Sequence, residues 1–162
     1  MADMSLMSDF SRPFAVVAWD ISLVRLCFAL VLGGAIGWER EVHNRNAGLR
    51  THMMISLAAC LFTLIAFDLT AFPGGDEGFK RVDPLRLIEA VTSGVAFLAA
   101  GSIITSGARV RGLTTGAGMW MAGAIGLTCG VGNLPLALMA TALALVVMWL
   151  LRRVVDAARD EE

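Results

Sequence analysis

The chain has 162 residues, 57% of them hydrophobic and 17% charged, with a formal net charge of -1 and a mean hydropathy of +0.71. That composition lies outside the soluble range and points to a membrane protein. Dispersed arginines on a near-neutral chain offer no basic stripe to displace counterions from a phosphate backbone, so nucleic acid is excluded as an expected partner.

Residues 1 to 20 mix Asp3, Asp9, Arg12, Pro13 and Asp20 with brief apolar pieces. They lack the basic start, apolar centre and small-residue cleavage site of a signal peptide, so an uncleaved segment, outside the cell or interfacial, is expected. Five apolar runs follow, at about 21–38, 51–70, 85–105, 113–130 and 134–151. Each is near the roughly 20 helical residues that cross a hydrocarbon core of about 30 Å. None shows the two-residue alternation of a barrel strand, and lipid leaves helices as the other way to satisfy the backbone. The expected fold is an all-α membrane protein, a five-helix transmembrane bundle over 21–151 with a short tail over 152–162.

The connections differ. "GWEREVHNRNAGLRTHMM" crowds Glu39, Arg40, Glu41, His43, Arg45, Arg50 and His52 between the first two runs. Residues 71–84 are rich in glycine and proline, and Asp83-Pro84 opens the third helix with proline in its first turn. "SGARVRG" at 106–112 is a short polar link, and "GVGNLP" at 130–135 predicts a tight hairpin between the last two helices. With the amino terminus outside, Arg40, Arg45, Arg50, Arg109, Arg111, Arg152, Arg153 and Arg159 fall inside, against Arg12, Lys80, Arg81 and Arg86 outside. Positive charge is retained in the cytoplasm, which favours an external amino terminus and a cytoplasmic carboxyl terminus.

Ionisable groups inside the spans cost a few kcal/mol on insertion scales. Arg25, Asp68 and Glu89 share a depth near the outer end of the first three helices. One reading is a polar cluster built on an Arg25–Glu89 pair that binds a cation or relays protons. The other is structural: Arg25 and Asp68 reach the interface while Glu89 pairs with one of them. The inner cluster of Glu39, Arg40, Arg50, His52, Arg109 and Arg111 suits an anion or a lipid headgroup, or orients the chain against anionic lipid. His52 is either a pH-sensing group or a hydrogen-bonding interface residue. Guanidinium groups beside Glu39 and Glu41 argue against a naked cation, so no metal site and no cofactor is expected.

Gly33 and Gly37 stand four apart, as do Gly112 and Gly116; with Gly94 and Gly101 they predict flat helix faces on which backbones meet. The cysteines Cys27, Cys60 and Cys129 stand singly in apolar runs and read as small hydrophobes. No Ser-His-Asp set, H-E-x-x-H or phosphate loop is present, so enzyme activity is not expected.

Four stretches carry a resemblance: "RLCFALVLGGAIGWERE" (25–41), "AGLRTHMMISLAACLFTLIA" (47–66), "DPLRLIEAVTSGVAFLAAGSII" (83–104) and "VRGLTTGAGMWMAGAIGLTCG" (110–130). They resemble the MgtC/SapB family of bacterial membrane proteins. Where the family pattern reads G-I-G-F-L-G-A-G, this chain has Gly94-Val95-Ala96-Phe97-Leu98-Ala99-Ala100-Gly101. The resemblance implies a five-helix, multi-pass inner-membrane protein linked to growth at low magnesium and, in pathogens, to survival inside host cells. Longer members add a soluble carboxyl-terminal domain, which the short tail here is not expected to supply. The leading expectation is a non-enzymatic protein that adjusts ion or energy homeostasis under magnesium limitation or acid stress by binding a membrane partner, a lipid or an ion. The alternative is a small transporter or channel for protons, magnesium or a small anion. The lipid bilayer, a second copy in a homodimer and another membrane protein are the expected partners.

Overall fold

A computed structural model of the chain describes residues 16–70, 83–106 and 109–159. Five helices account for most of these: α1 (Trp19–Val42), α2 (Leu49–Thr70), α3 (Pro84–Ser102), α4 (Leu113–Val131) and α5 (Leu134–Arg159). Between α3 and α4 lie two short antiparallel strands, β1 (Ile104–Ser106) and β2 (Arg109–Arg111), with Thr105 opposite Val110. Three helices, α1 to α3, are long and apolar enough to cross a membrane. In α5 the apolar part is the shorter run Leu134–Leu150. α4 sits at the centre of the bundle against all four other helices. A helix surrounded in this way is built from small residues, and α4 carries five glycines.

The core follows from close backbone approach. A Cβ added at Gly33 would stand 2.6 Å from Ser56 Cβ, and one at Gly37 would stand 2.8 Å from Leu49 Cα, so α1 lies directly on α2. Across the α2–α4 contact a Cβ on Gly126 would collide with the Ser56 carbonyl, and one on Gly130 would lie 2.5 Å from Thr63 Cβ. Lipid tails are as apolar as leucine, so this packing, rather than burial from water, holds helices together in a bilayer. Ile36, Cys60, Ile125 and Cys129 fill the space between these glycine contacts.

α3 is attached differently. Its packing side is the row Val91, Val95 and Ala99, and Ala99 makes ordinary contact with Gly116 of α4. The close contacts expected at Gly94 and Gly101 do not form: a Cβ at either would meet nothing within 4 Å, because both lie off that row and turn outward. Phe97 on the same outer side is 80% exposed. Gly112 serves a turn instead, in the left-handed region at φ 92 and tight against the Ser102 carbonyl.

Local signals behave as their chemistry dictates. Asp83 accepts a hydrogen bond from the Leu85 N–H at 2.9 Å and Pro84 opens α3. α3 stops at Ser102 rather than continuing to 105, since the β-branched run Ile103-Ile104-Thr105 enters the small hairpin. The α4–α5 link is tight: Gly132 adopts φ 93, and the N–H groups of Gly132 and Asn133 return to the Cys129 and Thr128 carbonyls. α5 runs on to Arg159, so most of the expected tail is helical.

Candidate functional site at the α1–α2 turn

The end of α1, residues 43–48 and the start of α2 form one polar knot. α1 continues past the apolar run through Glu39, Arg40 and Glu41, and the chain reverses with Asn44 at φ 50. Glu41 then caps α2, its Oε2 accepting the Leu49 N–H at 2.9 Å. Gly48 makes room for that carboxylate, since a Cβ there would collide with Glu41. An anionic cap on the positive end of a helix is favourable.

Glu39 is shared. Its Oε2 lies 3.3 Å from Arg40 Nη1, and its Oε1 lies 3.2 Å from His43 Nδ1. Arg40 is only 5% exposed. Its Nη1 also reaches Met148 Sδ of α5 at 3.7 Å, which ties the knot to the last helix. Arg40 Nε, however, is buried without a hydrogen-bond partner.

His52 is fully buried. The sequence reading put it at the interface; the glycines Gly37 and Gly118 on either side let α1 and α4 close over it. The ring is oriented by its Nδ1–H donating to the Gly48 carbonyl at 2.9 Å. Nε2 has no partner and points at Gly118, where a Cβ would stand 3.0 Å away. The charges of Arg40 and Glu39 both act on this ring. One turn further along α2 the Ser56 hydroxyl is also buried without a partner, beside Gly33. Each such orphan costs about 1–3 kcal/mol. Two of them, at His52 and Ser56, lie in the seam between α1, α2 and α4, and with Arg40 at the knot they mark a place where stability is given up.

The outer residues do not converge. Arg25 donates through Nη1 to the Gly130 carbonyl at 2.7 Å, and its guanidinium lies against Gly132. It thus closes the negative end of α4 with a cation. Asp68 accepts from the Val16 N–H at 3.3 Å. Glu89 is exposed on α3, and among the described residues no ion pair joins it to Arg25 or Asp68. The arginines expected to gather at the inner end are separate as well. Arg40 is buried against Glu39, whereas Arg50 and Arg111 are exposed; Arg109 belongs to β2, and its side chain lies outside the described residues. Among the described residues no group of three metal-ligating side chains occurs.

His43, Ser56, Gly118 and Met148 complete the knot and were not anticipated as site residues. Ser56 had a usable signal, the four-residue spacing from His52 that puts both on one helix face. Met148 had none, being 108 residues from Arg40.

Apolar helices packed through glycine, with a charged knot at one end and a cation-capped helix at the other, define a polytopic membrane protein. The chain belongs to the MgtC family, which matches residues 26–157. It is 38% identical over 131 residues to Protein MgtC of Brucella abortus, covering 81% of this chain and 51% of that one. It is 37% identical over 128 residues to a protein of Synechocystis, covering 79% and 51%. A third relative is YhiD of Escherichia coli K12, described as a "Putative magnesium transporter", at 34% over 134 residues and 78% and 58% coverage. The chain therefore spans about half the length of the curated relatives it matches. No solved structure matches it at a significant level.

Proposed function

We propose that the chain is a non-enzymatic, five-span protein of the bacterial inner membrane that adjusts ion or energy homeostasis when magnesium is scarce or acidity rises. In this reading the amino terminus is outside, the α1–α2 knot faces the cytoplasm, and the protein acts by binding a membrane partner, a lipid or an ion. Family membership supports the magnesium-related membrane role. The observation that carries the choice of binding over conduction is the division of the polar groups into two sets. Arg25 and Arg40 are fifteen residues apart on α1, about 22 Å at helical rise, and Ala29, Leu32, Gly33 and Ile36 lie packed between them. Among the described residues these groups line no polar path from one end to the other.

The test is growth of a deletion strain at limiting magnesium and at low pH, with complementation by the unchanged chain and by Arg40→Met. Growth indifferent to both stresses in the deletion strain would rule the reading out. A transport reading is favoured by the printed description of YhiD and by the unpartnered Arg40, His52 and Ser56 atoms leading inward from the knot. It requires movement of magnesium, protons or a small anion in sealed proteoliposomes that disappears in His52→Ala; vesicles that stay tight eliminate it.

A further inference from the structure

At the end of the bundle opposite the α1–α2 turn, α3 leans on α4 and barely touches α2. The gap is a crevice of about 450 Å³ walled by α2, α3, α4 and the start of α5, within the ~300–1,000 Å³ range of small-molecule sites. We propose that this crevice is a specific site for one acyl chain of a membrane phospholipid. The inference uses the membrane location alone and goes beyond the regulatory reading.

Three features select that occupant. The wall offers no free hydrogen-bond donor at depth, although it contains threonines. Thr63 donates to the Ala59 carbonyl at 2.9 Å, Thr92 to Ile88 at 2.7 Å and Thr128 to Ala124 at 2.8 Å, so each hydroxyl is turned onto its own helix. What faces the crevice is mostly hydrocarbon, and a polar ligand would lose its water there with little compensation. Second, the mouth carries the polar side chains of Thr70, at the end of α2, and Asn133, just before α5. A polar mouth over an apolar shaft suits an amphiphile with its headgroup at the helix termini. Third, the shaft has the depth of part of one leaflet. It runs from Thr70 to Thr63 on α2, from Pro84 to Thr92 on α3 and from Val131 to Ala124 on α4. Seven or eight residues give about 11 Å, against roughly 15 Å for half the hydrocarbon core. A spanning helix of a partner protein needs a groove along the whole bundle, and this one stops partway.

The experiment uses the full chain in phospholipid vesicles containing a lipid with a photoreactive acyl chain, followed by peptide mapping. Native mass spectrometry of the detergent-purified protein provides a second readout. The expected result is label concentrated in 84–92 and 124–131, one phospholipid retained per chain, and at least a fivefold drop in both for Ala124→Phe, which fills the shaft. Phe97→Ala, on the opposite side of α3, leaves both unchanged. Thr92→Phe fills the shaft from α3 and stands in if Ala124→Phe loses its helical circular dichroism. Label spread evenly over all lipid-facing surfaces, including the Phe97 side, overturns the proposal. So does a folded, shaft-filled variant that retains lipid as before, or crosslinking of the shaft to protein instead of lipid.

Discussion

The two ends of α1 carry the same kind of residue in opposite circumstances. At one end Arg25 meets a backbone carbonyl and the negative end of α4. At the other, Arg40 shares Glu39 with His43 and leaves Nε unpartnered, beside a buried His52 in the same condition. A charge that closes a helix end against a main-chain carbonyl has the profile of a structural element. A buried network left incomplete costs stability and persists where something else requires it. The proposed magnesium-related role is therefore better sought at the Arg40 end than at the Arg25 end.

The contrast depends on the packed middle that separates the ends, so the largest effect is expected there. Gly126→Val drives a side chain into the Ser56 carbonyl and should cost about 3 kcal/mol or more, read as lost folded protein in detergent melts. A mild effect would mean the middle is looser than described and the two ends are not isolated. Next comes Arg25→Leu, which orphans the Gly130 carbonyl at an estimated cost of 1–3 kcal/mol. Complementation per folded molecule should remain intact; its loss at normal expression would erase the distinction between the ends.

Arg40→Met sharpens it from the other side. The substitution leaves the Glu39 carboxylate with His43 as its remaining partner among the described residues, so it should cost about 1–3 kcal/mol, and growth is scored per folded molecule. Growth at limiting magnesium should nevertheless fail. A variant that melts many degrees lower but still complements would reverse the assignment. Smallest of all, Gly94→Ala and Gly101→Ala should stabilise the monomer by about 0.5–1 kcal/mol at most, since the methyl meets open space and alanine is the better helix former. Their use is to test whether the homodimer expected from the sequence, with no helix assigned to its contact, uses the outer face of α3. Cysteine crosslinking at position 94 should trap a dimer in native membranes, and exclusively monomeric product would remove that contact from consideration.

Much of the architecture was readable in residue order. Long apolar runs required helices, Asp83-Pro84 marked a helix start, and Gly132-Asn133 marked a tight reversal, because each of these is a local property of the backbone. The crowding of Glu39, Arg40 and His52 also identified the knot. What could not be read was the partner of each charge. One of the two sequence readings pairs Arg25 with Glu89, yet its acceptor is a main-chain oxygen 105 residues away, and every residue type carries such an oxygen. Gly94 and Gly101 had the right spacing for a packing face, but spacing does not say which way the face turns.

Residue order alone thus determined a lipid-embedded all-helical chain and the stretch of it where charge collects, since hydropathy, proline and glycine act within a few residues. Only the tertiary structure decided that α4 occupies the centre, that His52 is sealed between Gly37 and Gly118, and that α3 stands off from α2 to leave a crevice. Those outcomes depend on how helices rotate and approach one another. That is settled by steric fit among backbones distant in sequence, at distances where a single methyl group changes the result.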